Sequence, residues 1–403
     1  MEITFSGYFF LIVYFIAIFF PVKYLFAITL YSSIFGAMAV FNLNYKGITP
    51  FIVGLIFFNL KSIFLPTKLR HNNFPNSYLV CLFLLYSILY SIVIPIIGSE
   101  NRQLSLKNYT QLVYIIIYTI TLYSAYKIQN KVDASFLIKL FKFMIISVVA
   151  IGLWEFFAKS TNMISFPNSF FFNNKGYSLL YDQELAIGGQ KRLNSTFIEP
   201  SYAGSFLAAS FCMVVILGIK KNILFLLLIL TALVFNLSAT GMLSTIFGVL
   251  FCMFINIKNW KQILALNILL LLTLYIVYKT DYFTFFIEIL LRKKDSLSGE
   301  SRLESTVRAI NLFKESGGIG LGLGVYRSAS FISDIIVSYG IIGTFLFCKL
   351  YYTFIRTIVS RNTWLFVFAI VLLCAQCIAI PDISNQIMWM WIFMSVSLNH
   401  YNK

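Results

Sequence analysis

Charge is scarce in this chain. Asp, Glu, Lys and Arg together make up 11% of its 403 residues, and long stretches carry almost none. What charge there is leans one way: 31 Lys and Arg stand against 15 Asp and Glu, a formal net charge of +16. Such a balance invites a nucleic-acid reading, which fails on distribution. The cations sit in short clusters between apolar runs and form no basic domain or recognition helix, so no nucleic acid is expected as a partner. Cysteine offers no chemistry either. Cys81, Cys212, Cys252, Cys348, Cys374 and Cys377 all lie inside apolar runs, which argues against a disulfide framework and a zinc site. Cys374 and Cys377 form a CxxC with no acid or histidine nearby and read as packing. The amino terminus lacks the basic segment of a cleavable signal peptide and runs straight into Tyr8–Phe20.

Apolar surface is what the chain has in excess. Hydrophobic residues make up 59% of it and gather into about a dozen runs of 17–25 residues, the length a helix needs to cross a bilayer. The expected fold is an all-α polytopic integral membrane protein, one transmembrane domain over residues 1–403 with about 12–13 helices. Candidate spans lie at about 5–21, 24–41, 48–65, 77–97, 109–126, 136–158, 201–219, 222–238, 240–257, 260–278, 329–355, 363–380 and 382–399. Cationic connections mark every second loop: Lys61, Lys68 and Arg70; Lys127, Lys131, Lys139 and Lys142; Lys220 and Lys221; Lys258 and Lys261; Arg356 and Arg361. By the positive-inside rule these are cytoplasmic. The amino terminus, the Asn236–Thr240 turn and both long loops then face outward, and the carboxyl terminus faces inward.

Those long loops, about 159–200 and 279–328, are where function is expected, because a hydrophobic bundle gains no packing from hydrophilic excursions of that length. The first holds Lys159, Lys175, Lys191 and Arg192 against Asp182, Glu184 and Glu199; the second holds Arg292, Lys293, Lys294, Arg302, Arg308, Lys314 and Arg327 against six acids. Outward-facing and set in a basic protein, they point to an extracytoplasmic, anionic substrate, although the Arg292–Lys294 cluster fits a plain solvated loop. Arg192 precedes Pro200, and proline is favoured in a helix's first turn. A helix beginning at Glu199–Ser201 directs its unpaired N–H groups outward, so an arginine folded over that end makes an anion site. Glu199 could serve that helix end as a structural carboxylate or face the substrate as a general base. In the second loop, Ser298–Glu315 reads as a helix outside or along the membrane surface, with Glu304 and Arg308 spaced as a surface ion pair. The run GGIGLGLGVYRS, Gly317–Ser328, lacks the strand-turn-helix context and lysine of a nucleotide loop. It reads as a backbone nest beside Arg327 for phosphate or sugar oxygens.

Three motifs carry a family resemblance. RLNSTFIEPSYAGSFLA, Arg192–Ala208, resembles the motif closing the first large external loop in O-antigen polymerases of the Wzy type. NLSATGMLSTIFG, Asn236–Gly248, is similar to a helix start of the O-antigen ligase and polymerase superfamily. Ser298–Phe347 resembles that superfamily's arginine-bearing amphipathic helix, G-x-G-x-G turn and spanning helix ending in G-x-x-G. Order and spacing agree over about 192–347, while the first half matches only as a run of spans.

The resemblance implies a GT-C-like membrane glycosyltransferase in the bacterial inner (cytoplasmic) membrane that uses no metal, nucleotide or other cofactor. Its substrate would be an oligosaccharide on undecaprenyl pyrophosphate, transferred to the acceptor sugar of a new lipid-linked repeat unit. It also implies a chain-length regulator and a flippase as partners beside the lipid bilayer. By motif position Arg192 holds the pyrophosphate, and Arg302 with Arg308 or Arg327 completes the clamp, the guanidinium fork matching phosphate oxygens. Glu199 is the candidate base, and Lys191, Ser195, Tyr202, Gly322, Gly324 and Tyr326 are the further substrate contacts. Ligases of the superfamily typically place a histidine before the G-x-x-G helix, where this chain has SASFISD, and His71 and His400 are both on the cytoplasmic side. That favours the polymerase over the ligase. A flippase would place ionisable groups in mid-membrane. Here Glu155 is near a helix end, Asp334 is close to the second loop, and Lys349 can snorkel. Exchanging Cys374 and Cys377 for Ala and Ser is expected to leave glycan chain length unchanged, which a surface-glycan gel checks.

Overall fold

The computed structural model describes residues 2–43, 47–65, 77–97, 106–161, 165–175, 186–187, 190–255, 297–359, 362–380 and 382–398. The chain is mostly helical. In order come β1 (Glu2–Ile3), α1 (Phe5–Ala17), α2 (Val22–Ser32), β2 (Phe41–Asn42), β3 (Gly47–Ile48), α3 (Pro50–Ile63), α4 (Ser77–Ile97), α5 (Leu106–Lys127), α6 (Ala134–Thr161) and α7 (Asn168–Phe171). After them come β4 (Ala186–Ile187), β5 (Gln190–Lys191), α8 (Pro200–Ile216), α9 (Ile219–Asn236), α10 (Ala239–Ile255), α11 (Leu297–Glu315), α12 (Phe331–Val359), α13 (Thr363–Ala379) and α14 (Gln386–Ser397). Strands β1, β2 and β3 form one small antiparallel sheet, and β4 and β5 pair as a hairpin.

Among the described residues, four helices are long and apolar enough to cross a membrane: α4 over Ser77–Ile94, α6, α9 and α12. Six shorter apolar helices of 10–17 residues, among them α1, α3, α8, α10 and α14, accompany them. Large apolar side chains stand exposed around the bundle, such as Phe5, Phe15 and Phe19 on α1 and Ile341, Ile342 and Phe345 on α12. Apolar outside as well as inside, the chain has the build of an all-α membrane protein.

Several expected spans are shorter than the sequence indicates, and two depart most. The run at 24–41 is helical only to Ser32, after which residues 33–40 continue as buried, non-helical chain. The physical reason is that hydropathy registers burial in protein as readily as burial in lipid. The carbonyl of Ile34 accepts from the Thr196 hydroxyl at 2.6 Å, and the Ala37 N–H donates to the Thr196 carbonyl at 3.1 Å, so this backbone is satisfied by protein. The run at 382–399 becomes α14, 12 residues and about 18 Å long, with every residue from Ile387 to Ser397 buried. The expected span at 260–278, Lys68, Arg70, His71, Lys258, Lys261, Arg292–Lys294, Arg361 and His400 lie outside the described residues.

Helix α8 is the hub, packed against α10, α13 and α9. Its approach to α10 is set by Gly204 and Gly241, where a methyl group on either would meet the other's backbone near 3 Å. Hydrogen bonds tie the connections into two separate ends. At one end Lys61 reaches the Ile18 carbonyl at 2.6 Å, Lys127 the Ser62 carbonyl at 3.3 Å, and Lys142 the Asn222 amide oxygen at 2.6 Å. Asp133 caps α6 there, accepting from the Phe136 N–H, which holds its carboxyl below the usual range. At the other end Lys175 pairs with Glu2 at 2.8 Å, and Asn173 and Asn174 bind Ala39 and Gly47.

Helix α12 is broken at Gly340, whose φ of 65° is a left-handed conformation that costs a side-chain-bearing residue about 1–2 kcal/mol. A methyl group there would also drive into the Ile319 carbonyl. Gly340→Ala is expected to lower the thermal midpoint of the detergent-extracted protein by several degrees, while Gly36→Ala, with nothing within 4 Å of the added methyl, leaves it unchanged.

Candidate functional site

The first long loop is anchored by an acid inside an apolar helix. Glu155 on α6 is fully buried, pairs with Lys159 one turn on, and accepts the backbone N–H groups of Asn194 at 3.0 Å and Ser195 at 2.6 Å. Those two N–H groups converge on one carboxylate oxygen, and the chain then turns at Ser195, whose φ of 58° is left-handed. The Ser195 hydroxyl then donates to the Val148 carbonyl at 2.6 Å. Asn236 closes the other side, its amide donating to the Leu193 carbonyl at 2.7 Å and the Pro200 carbonyl at 2.9 Å. This double clamp fixes residues 192–200 across the end of the bundle and aims α8, whose first residue is Pro200, into it.

A cleft opens beside that segment. Its walls come from the buried strap after α2 (Ser33, Gly36), from Gly47, Thr49 and Ile52, from Tyr114 and Tyr118 on α5, and from Asn174. Phe197, Ile198 and Tyr202 close one side, and the segment Asp382–Ile387 closes the other. Its cavity volume is about 60 Å³, and its mouth is open. The segment 382–387 is held firmly. Asp382 accepts from the Ser384 N–H at 2.8 Å and the Ser384 hydroxyl at 2.5 Å, and Asn385 caps α14 by accepting the Ile387 N–H at 2.9 Å. Below it Trp389 stacks on Tyr118 at 4.7 Å, and the Tyr118 hydroxyl donates to the Ser384 carbonyl at 2.9 Å.

The second loop meets the cleft through Arg327. Its guanidinium donates to the Tyr202 hydroxyl at 3.3 Å and lies 3.9 Å from the Asp382 carboxylate. Behind it Asp334, buried at the start of α12, accepts the Ser328 N–H at 3.0 Å. The glycine run supports this arm from within. Gly317, Gly318, Gly320, Gly322 and Gly324 all have positive φ, and the N–H groups of Leu321 and Gly322 donate to the Val337 and Ser338 carbonyls at the break in α12.

The structure sorts the sequence-derived residues into groups. Tyr202 and Arg327 come together at the cleft. Arg192 is half-buried beside it in sequence, with its guanidinium on the Leu237 carbonyl at 3.1 Å. Glu199 is the N-cap residue of α8 but makes no side-chain cap, accepting instead from the Ser201 hydroxyl at 3.0 Å. Ser195 and the Gly322 N–H are turned into the protein, engaged by Val148, Glu155 and Ser338 as described. Tyr326 pins its loop to α11 through the Ser305 carbonyl at 2.9 Å, and Gly324 lies in the same loop. Arg302 is half-buried and Arg308 exposed on α11, where Glu304 and Arg308 form no ion pair among the described residues. The Lys191 side chain lies outside the described residues.

Two acids escaped the sequence reading. Glu155 was legible as an acid in an apolar run, the pattern that marks a buried site in a membrane bundle. Asp382 falls where two apolar runs fuse in hydropathy, although the Pro-Asp-Ile-Ser-Asn sequence ahead of an apolar run is a helix-start signature. The chain matches no family model, no curated protein and no solved structure. Its chemistry is therefore argued from these residues.

Removing the Glu155 carboxylate strands two buried N–H groups and an ammonium, a loss on the order of 3–5 kcal/mol. Glu155→Ala is expected to deplete the protein from membranes, and Glu155→Gln, which keeps an acceptor, to fall between it and the parent in thermal midpoint and immunoblot level.

Proposed function

We propose that this protein is a polysaccharide repeat-unit polymerase of the bacterial inner membrane. On this reading it is a GT-C-like, metal-independent glycosyltransferase acting at the external face. It moves a glycan from undecaprenyl pyrophosphate onto the acceptor sugar of a new lipid-linked repeat unit. The observation that carries the reading is the contact of Arg327 with Tyr202 and Asp382. Residues from the two motif-bearing loops, far apart in sequence, meet at the mouth of one cleft.

The chemistry follows from the groups present. Departure of a pyrophosphate needs its growing charge held, and guanidinium groups present paired donors that fit phosphate oxygens. Arg327 stands at the cleft mouth, half exposed, and Arg192 lies on the first loop with its guanidinium on the Leu237 carbonyl. Helix α11 lies alongside α12 and brings Arg302 and Arg308 to the same loop system. Leu303, Val307 and Ile310 are exposed on one flank of α11, with Glu304, Arg308 and Asn311 on the other. That division suits a helix lying at the membrane surface, where a lipid-linked pyrophosphate is presented.

The test is the length distribution of surface glycan in cells lacking the gene, with analysis of the lipid carrier. A ladder collapsed to a single repeat is expected. Long glycan stranded on the carrier would instead mean a ligase, and repeats trapped on the cytoplasmic face a flippase. Arg192→Ala and Arg327→Ala are each expected to cut elongation by about 100-fold or more while the protein remains in the membrane.

A further inference from the structure

We propose that the cleft is the acceptor-sugar subsite and that Asp382, rather than Glu199, is the catalytic base; this rests on the polymerase reading. Three observations carry the assignment. The first is the lining, which is that of a polyol site: rings of Tyr114, Tyr118 and Tyr202 alternate with the amides and hydroxyls of Thr49, Asn385 and Gln386. Aromatic faces take the C–H face of a sugar, and amides and hydroxyls pair with its hydroxyls.

The second is unspent hydrogen-bonding capacity. The Thr49 hydroxyl, on a residue 7% exposed, and the Gln386 amide oxygen are buried polar atoms with no hydrogen-bond partner in the protein. A buried group of this kind is costly to leave unless something pairs with it. Both residues line the cleft, and a side-chain rotation that brings these oxygens to its surface lets a ring bearing several hydroxyls pair with them.

The third is the posture of Asp382. One carboxylate oxygen is fixed by the N–H and hydroxyl of Ser384, and the other is the one 3.9 Å from Arg327. A base needs that combination of a locked rotamer and an oxygen turned toward the reacting centre. Glu199 is engaged by Ser201 and is not part of the cleft wall. In the step, the acceptor hydroxyl oxygen bonds to the anomeric carbon of the donor glycan while its proton passes to Asp382. The bond from that carbon to the pyrophosphate oxygen breaks, and the electron pair leaves with the pyrophosphate.

The experiment uses full-length protein in proteoliposomes with lipid-linked single repeats extracted from cells lacking the gene. Asp382→Asn is expected to cut elongation by about 100-fold or more and to abolish the acid limb of the kcat/KM profile. Asp382→Glu restores part of the rate, and Glu199→Gln keeps the acid limb. Thr49→Val raises the acceptor KM about tenfold or more with kcat nearly unchanged, and carries the test should Asp382→Asn fail to reach the membrane. Repeats cleaved from their carrier are run alongside: elongation of these places recognition in the sugar alone, and elongation of only the lipid-linked form places it in sugar and carrier together. Parental rates in both Asp382→Asn and Thr49→Val would overturn the subsite. A deletion strain with an unchanged ladder would overturn the polymerase reading instead.

Discussion

The arrangement at the functional end depends on one carboxylate buried in an apolar helix. An ionised acid in such a place is tolerable only when its lone pairs are taken up, and Glu155 has Lys159 on one oxygen and the N–H groups of Asn194 and Ser195 on the other. Two successive N–H groups point at one atom there, and the left-handed Ser195 turns the chain directly after them. From there the consequences run outward. The loop is pinned, Pro200 is placed to open α8, Tyr202 is delivered to the cleft two residues later, and Arg327 finds its partner.

A second layer of support comes from backbone that is not helical. The strap at residues 33–40 is held by Thr196 from below and by Asn173 and Asn174 from the side. The glycine run is held by the broken turn of α12. In both places neighbouring backbone satisfies irregular chain, and in both that chain stands next to the cleft wall or the arm carrying Arg327. Rigid helices thus present a site made largely of loops.

Much of this was legible in the sequence, and what was not has a physical reason. Pro200 as the first residue of α8, the helix at Leu297–Glu315, and the turn between α9 and α10 follow from proline chemistry and amphipathic spacing. Hydropathy could not distinguish α14, buried in protein on all sides, from a lipid-facing span. Nor could glycine content reveal that the N–H of Gly322 would be spent on Ser338, since positive φ permits a nest and a packed turn equally. Asp382 and Glu155 were visible as residues but not as partners, because pairing across about 40 residues or more is a property of the folded chain alone.

The shortness of α14 bears on what positions the cleft wall. At about 18 Å it does not bridge a hydrocarbon core of about 30 Å, and its rings meet Tyr118, Phe51 and Tyr351. Helices α5, α12 and α13 pack around it. Asp382 and the wall that follows it are therefore set by contacts within the protein rather than by the bilayer.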